Sequence, residues 1–272
     1  MKDEPERQER YIGLGDDYYW LAGQNDIVES MFRPALRRAA ASSNGRRPRL
    51  LDIGCGAGFL LRRFEDAALG VGSDFSLDAL AHAQKGGHRR VLSSDSTALP
   101  FRAGAFDGVV CLDVLEHIED DGAALREIAR VLRPGGVFLF AVPAFPALWR
   151  DHDEMYGHFR RYYRGDFVAR VQAAGLTVEE CRFIKVAFFL PLLAIALYQR
   201  YAPRGEPRDN FYAVPRWLNR ALRALIAGEH RLGLTRVAPL GVSLACLGRR
   251  SAGGDVRRAC GRRTSRRGSR RW

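Results

Sequence analysis

The sequence of 272 residues is short of the features that mark most specialised classes of protein. It has five cysteines, at positions 55, 111, 181, 246 and 260, and no C-x-x-C pair. Thiols in odd number and so widely spaced argue against a disulfide framework or a zinc site and fit a reducing compartment. Met1 to Arg10 is charged and no apolar stretch follows it, so no secretory leader is expected and a cytoplasmic location is the default. No uncharged run approaches the roughly 18 residues that read as a transmembrane helix. Internal repeats are not evident. Outside the C-terminal end there is no basic stripe with interleaved aromatics, so no specific nucleic-acid partner is expected.

What is present is ordinary globular composition, 47% hydrophobic and 27% charged. The net charge of +12 is misleading. Residues 249–272 contain ten Arg and one Asp, a charge of +9, which leaves +3 for the body. Arginine pairs separated by Gly and Ser predict a disordered tail that touches other molecules only through non-specific charge.

Hydrophobic patterning then divides the chain. Ile27, Val28, Met31, Phe32, Ala35 and Leu36 recur at helical spacing and predict a helix over 24–41, closed by a Ser-Ser-Asn-Gly turn at 42–45. From Arg49 strands and helices alternate. Strands are expected at 50–53, 69–74, 90–93, 106–112 and 137–142, with helices at 58–68, 76–85 and 120–132. Alternation of this length implies a parallel sheet covered on both faces, doubly wound by right-handed crossovers. The second half is less regular. It predicts an aromatic and charged insertion at 144–163, a helix at 165–174, a strand at 177–184, a Pro-rich loop at 202–210, a helix near 215–227 and a last strand at 242–247. The expected organisation is a helical cover (1–48), an α/β domain (49–248) with insertions at 144–163 and 185–228, and the tail (249–272).

In doubly wound sheets ligands bind at the carboxyl ends of the strands. The first strand runs into Asp52-Ile53-Gly54-Cys55-Gly56-Ala57-Gly58, where glycines allow a sharp turn and close approach to a ligand. Nicotinamide enzymes use the same device, but with G-x-G-x-x-G spacing. The G-x-G-x-G spacing here, and Asp52 two residues before the first Gly, favour S-adenosylmethionine (SAM). An acid there can pair with an ammonium or hold the turn, but would repel a pyrophosphate. Asp74 ends the second strand, where a carboxylate can accept ribose hydroxyls; this fits NAD equally well. Asp95, after the third strand, is placed to accept from an adenine amino group, with the backbone of Ser96 as donor.

The stretches LLDIGCGAG (50–58), VGSDFS (71–76), DSTALPF (95–101), FDGVVCLDVLEHI (106–118) and LRPGG (132–136) resemble the consecutive motifs of class I SAM-dependent methyltransferases of the type 11-like kind. The resemblance covers about residues 48–143. It implies a Rossmann-like, seven-stranded, mostly parallel sheet with one antiparallel strand near its edge, and SAM contacts from Asp52, Gly54, Cys55, Gly56, Gly58, Asp74, Phe75, Asp95, Ser96 and Leu112. Less specifically, YYWLAGQ (18–24) and DHDEMYGHFRRYYR (151–164) resemble the lead-in and the insertion after the fifth strand of one bacterial subgroup. These supply acceptor-side candidates: Tyr19, Trp20, His152, Arg161 and Tyr162.

Methyl transfer is an in-line displacement that depends chiefly on alignment, and it needs a base only if the acceptor must lose a proton. Two clusters offer such chemistry. His117, in DVLEH, would share a helical face with Asp113 and Glu116 and could serve as base or, with them, hold a divalent cation, as in the similar motif of ubiquinone-type O-methyltransferases. A metal is the less favoured reading. The second cluster contains His152, Asp153 and His158; Asp153 and His158 are candidate catalytic groups, or parts of an ion-paired lid. Finally, 186–198 (VAFFLPLLAIALY) is apolar but too short to span a bilayer, and Pro191 is expected to interrupt it. It reads as a buried helix, a dimer contact or a peripheral membrane element. The expected activity is methyl transfer to a small or lipid-like acceptor, by default at oxygen, by a monomer or homodimer. A non-catalytic SAM-binding scaffold and an NAD-dependent oxidoreductase remain as alternatives.

Overall fold

The computed structural model describes Gly13 and residues 15–41, 45–201 and 214–251. The turn at 42–44, the Pro-rich loop at 202–210 and the Arg-rich tail after Ser251 lie outside the described residues. In chain order the elements are α1 (Tyr19–Ala40), β1 (Arg49–Ile53), α2 (Phe59–Arg63), β2 (Leu69–Asp74), α3 (Leu77–Lys85), β3 (Val91–Ser93), β4 (Phe106–Leu112), α4 (Asp121–Val131), β5 (Leu132–Pro143), α5 (Asp151–Met155), α6 (Arg164–Ala173), β6 (Leu176–Ile184), α7 (Phe189–Tyr201), α8 (Arg216–Arg231), α9 (Leu234–Val237) and β7 (Ser243–Arg250).

The seven strands form one sheet in the order β3-β2-β1-β4-β5-β7-β6. β1 to β5 are parallel, and β7 runs antiparallel between β5 and β6. The parallel strands are apolar on both faces because helices cover both. Leu51, Val109 and Phe138 face α4 and α6, meeting Leu125, Ile128, Phe167 and Val171. Their neighbours Leu50, Val110 and Leu139 point the other way, onto Ile27, Phe32 and Leu36 of α1 and Phe64. Full burial of a side chain such as Phe32 contributes about 1.5–3 kcal/mol. The strand order reverses between β1 and β4, so the ligand crevice opens at their carboxyl ends.

The structure departs from the expected elements in instructive places. α1 begins at Tyr19, which takes the aromatic lead-in into the helix. α2 stops at Arg63: Ala67 and Ala68 both donate to the Phe64 carbonyl in tight turns that return the chain to β2. β5 begins at Leu132 because an irregularity in the ladder pairs Leu132 with Phe106 ahead of the regular register. β7 runs past residue 248: Arg249 pairs with Glu179, and Arg250 donates to the Leu132 carbonyl, so two of the tail's arginines belong to the sheet. Pro191 does not interrupt the apolar segment. It falls in the first turn of α7, where its missing N–H costs no helical bond.

Asp107 pins the amino end of β4. It is fully buried, and Arg46, Arg133 and the Arg49 N–H all donate to its carboxylate at 2.6–2.9 Å. Burial works against its ionisation, but those donors outweigh it and hold the carboxyl below its ordinary range. A depressed folded pKa stabilises the protein above the unfolded value, and that stability is lost as pH falls through the folded one. Asp107→Asn is expected to cost about 2–3 kcal/mol in urea unfolding at pH 7. The difference from wild type should shrink below about pH 4.

Candidate functional site

The turn after β1 is built on left-handed backbone. Gly54 has φ 72° and Gly58 φ 82°. A Cβ on Gly54 would lie 2.1 Å from a methyl of Val114, and one on Gly58 would lie 2.4 Å from the His88 ring. The turn is also tied to the neighbouring strand. Gly54 N–H and Cys55 N–H both donate to the Ser73 carbonyl, at 2.7 and 3.1 Å. Cys55 is buried at the bend, its thiol pushed above the ordinary value first by burial and then by Asp52.

Two carboxyls line this turn. Asp74 accepts the Gly56 N–H through Oδ2 and the Ser76 N–H through Oδ1, both at 2.9 Å. It therefore clamps the β1 and β2 turns together at the place expected for ribose. Burial raises its pKa, against the pull of those amides. Asp52 is 3% exposed, and its Oδ2 meets no partner among the described residues. Burial, and then the charge of Asp74, push its carboxyl up to about 8. A buried acid is costly in its ionised form unless a cation or hydrogen-bond donors pair with it. Further out, Phe75 is 63% exposed and Leu112 and Ser96 are half-buried. Asp95 is exposed and accepts from both the N–H and the hydroxyl of Thr97 at 2.7 Å, an Asx turn that holds its carboxyl below the usual range.

After β4 the structure corrects the expected helical face. Asp113 takes φ 51°, and only one 3-10 turn, Leu115–His117, follows. The Asp113 N–H still belongs to the sheet, donating to the Ala141 carbonyl, so a helix has no room to start there. Asp113 Oδ2 accepts from Gln24 Nε2 at 2.8 Å, and Asp113 is not among the groups whose ligand atoms converge. The groups that converge are instead Glu116, His117 and His158, with one ligand atom from each lying within 4.8 Å of the others. The His117 and His158 rings meet edge to face at 4.6 Å. Glu116 is buried with Oε2 unpartnered, and burial and Asp113 raise its pKa well above the ordinary value. The unpartnered Nδ1 of His117 belongs to a ring whose pKa falls to about 4, by burial and then by the charge of His158.

The insertion after β5 supplies an anchor rather than a second base. Asp153 is fully buried and accepts from Arg161 at 2.8 and 2.9 Å, from the Arg150 N–H at 3.0 Å, and contacts His158 Nδ1 at 2.7 Å. Burial opposes its ionisation, but those partners hold it far below the carboxylate range, so it cannot act as a proton acceptor. It positions His158. Arg161 is likewise spent on Asp153 and on the Ala144 carbonyl, and is not a free acceptor contact. Nor is Tyr162: its ring lies in the core beside Phe167 and its hydroxyl donates to Asp121 Oδ2 at 2.9 Å. His152 stays beside the site, 5.9 Å from the His158 ring, with its pKa lowered to about 3 chiefly by burial.

Tyr19 and Trp20 pack on Phe188 at ring distances of 6.0 and 5.6 Å. Three residues not foreseen join them. Lys185, fully buried, lies with Nζ 3.9 Å over the Trp20 ring and donates to Gln24 Oε1. Arg150 is 8% exposed, with an unpartnered Nε. Gln24 links Lys185 to Asp113. No spacing rule points to these residues, because they come together only from α1, β6 and the segment after β5.

The fold is a Rossmann-like α/β domain with a glycine turn and two carboxyls, Asp52 and Asp74, at the ends of its first two strands. Comparison with known proteins agrees. Residues 51–140 match the family model of a methyltransferase domain. A demethylmenaquinone methyltransferase of Mycolicibacterium paratuberculosis is 36% identical over 150 residues, 52% of this chain and 58% of that protein. A ubiquinone biosynthesis O-methyltransferase of Sodalis glossinidius is 33% identical over 111 residues, 37% and 43% of the two chains. A Mycolicibacterium smegmatis protein described as a SAM-dependent methyltransferase is 30% identical over 172 residues, 62% and 63%. The chain spans about half the length of the curated relatives it matches. Among solved structures, the fold resembles that of a Haloferax volcanii methyltransferase–activator complex with a TM-score of 0.51, at 20% identity over 86% of this chain and 97% of that one. Residues 51–140 are thus similar to a methyltransferase domain and lie within a Rossmann-like fold.

Asp52 provides a test of the cofactor site. Its raised pKa means that the wild-type protein loses stability as pH climbs from about 4 towards 8, a loss that an amide does not suffer. Asp52→Asn is expected to raise the melting temperature of the ligand-free protein, more at pH 8 than at pH 5. It should also weaken SAM binding about tenfold in calorimetry. A shift independent of pH would show that the Asp52 carboxyl is not raised in the folded protein.

Proposed function

We propose that this chain transfers the methyl group of SAM to an oxygen of a small, lipophilic acceptor drawn from a membrane surface. The observation that carries this reading is the unpartnered Asp52 carboxyl at the glycine turn, one strand away from His117 with its unshared Nδ1. SAM supplies an electrophilic methyl on a sulfonium whose departure leaves a neutral thioether. Asp52 would pair with its ammonium, Asp74 would exchange an amide for the ribose hydroxyls, and Phe75 would stand beside the adenine. His117 would take the acceptor's hydroxyl proton, with Glu116 and His158 around it. The same three groups could instead take a divalent cation, a second reading favoured by their convergence. The quinone-biosynthesis names of the relatives support a flat, lipophilic acceptor.

Membrane contact rests on α7. Only Phe189 and Ala196 of this helix are buried, while Leu190, Tyr198 and Tyr201 are at least 70% exposed. Nearby, α8 exposes Trp217 between Arg216 and Arg220. An apolar face flanked by arginines suits an anionic interface. Among the described residues no helix is long and apolar enough to cross a membrane.

The cofactor reading is tested by titration with SAM, S-adenosylhomocysteine and NADH. Heat from the two sulfur ligands alone supports it, and heat from NADH alone would return the turn to the dinucleotide oxidoreductases. His117→Ala is expected to lower kcat about 100-fold with SAM affinity intact. Unchanged turnover would remove His117 as base, and absence of turnover with every acceptor in the wild type would favour a SAM-binding scaffold. The protein should also sediment with anionic liposomes, and Leu190→Ser with Tyr198→Ser should release it. Protein that stays in the supernatant would argue against a membrane-drawn acceptor.

A further inference from the structure

Arg150 and Lys185 are two enclosed cations without ion-pair partners among the described residues, each placed where the acceptor would enter. Lys185 is notable in a chain with 43 basic residues of which only three, Lys2, Lys85 and Lys185, are lysines. It follows the last residue of β6 in a left-handed conformation, φ 59°, and is completely removed from solvent. Its ammonium has three donors. One goes to the Gln24 amide oxygen, and the Trp20 face takes part of the charge. Arg150 sits before α5, close enough for its charge to act on Lys185.

The surrounding acids form no ion pair with these two among the described residues. Asp153 is satisfied by Arg161 and His158. Asp113 accepts from Gln24, and its charge acts on Lys185 without a direct ion pair. Glu116 is buried, and its Oε2 meets no partner among the described residues. Two cations enclosed in this way are costly unless a ligand completes them. The surroundings are aromatic: Lys185 lies over Trp20, Trp20 and Tyr19 pack on Phe188, and Phe145 and Phe189 meet edge to face at 5.4 Å. This region also adjoins the cofactor turn, because Val114, next to Asp113, touches Gly54.

We infer that Arg150 and Lys185 form an anion subsite that holds a flat aromatic acceptor by a negatively charged oxygen group, carboxylate or phenolate. The subsite would make the acceptor an acid and exclude neutral molecules of the same shape. This rests on the methyl-transfer reading for the name acceptor, but the subsite can be tested without turnover. Protein loaded with S-adenosylhomocysteine would be titrated with two matched pairs of probes, benzoate against benzamide and 2-naphthoate against 2-naphthamide.

In the wild type each acid should bind about tenfold or more tightly than its amide. In Lys185→Met and in Arg150→Gln that preference should fall to about twofold or less, whereas Arg150→Lys should restore much of it. Equal affinity of acid and amide in the wild type, a preference unchanged in both charge-removing variants, or no binding of either acid up to millimolar concentration would each overturn the subsite. S-adenosylhomocysteine affinity, measured first in every variant, reports separately on the cofactor site and on folding. If it is absent in the wild type, the methyltransferase reading fails, and the acid–amide comparison on the ligand-free protein then decides the subsite alone. If one variant does not fold, the other carries the comparison.

Discussion

The glycine turn can exist only because the carbonyl of Ser73 accepts two amides from it, those of Gly54 and Cys55. A parallel sheet leaves the ends of its strands with unfilled hydrogen-bonding groups. Here the turn after β1 folds across the end of β2 and fills one of them, while Asp74 fills the Gly56 N–H from the opposite direction. Backbone this close leaves no space for Cβ at Gly54 or Gly58. The same closeness confines Asp52 beneath the turn, where burial raises its carboxyl in pKa. The cofactor site is thus a consequence of how two strands end.

The acceptor side follows from a different constraint. Three non-glycine residues with left-handed backbone, Asp113, Phe145 and Lys185, stand one or two residues beyond the ends of β4, β5 and β6. Such conformations cost on the order of 1–3 kcal/mol each and persist where the surroundings over-determine them. At each position the sheet hydrogen bonding is completed nearby: Asp113 N–H donates to Ala141, Phe145 N–H to Tyr162 and Val242 N–H to Ile184. The Asp113 carboxylate and the Lys185 ammonium are then bridged by Gln24, and Phe145 packs on Phe183 and Phe189.

The second half of the chain fixes the surroundings of Lys185. Glu229 of α8, itself buried, accepts the N–H groups of Val186 and Ala187 and so fixes the chain immediately after Lys185. Arg223 joins α8 to Asp26 of α1, which also holds Arg63. Ile226 packs against Gly23 with no room for a larger residue. α1 and α8 therefore act as one clamp over the strand ends, and α7 projects from it with its apolar surface outward.

Much of this was legible in the sequence. Alternating apolar runs determined a parallel α/β sheet, since only strands buried on both faces read as continuous Val, Leu and Ile. The glycine spacing determined the tight turn after β1, because left-handed backbone and close packing there tolerate few residues. A short-range pattern carries that information. The fate of charged residues was different. Asp113, Glu116 and His117 lay three and four apart and suggested one helical face, but the pull of the sheet on Asp113 decided otherwise. Arg161, Tyr162 and Asp153 looked like site chemistry, but Arg161 donates to Asp153, and Tyr162 donates to Asp121 of a segment distant in the chain. Lys185 and Arg150 gave no signal at all. Only tertiary structure decides which charges find partners, since pairing depends on distances in space that residue spacing along the chain does not encode.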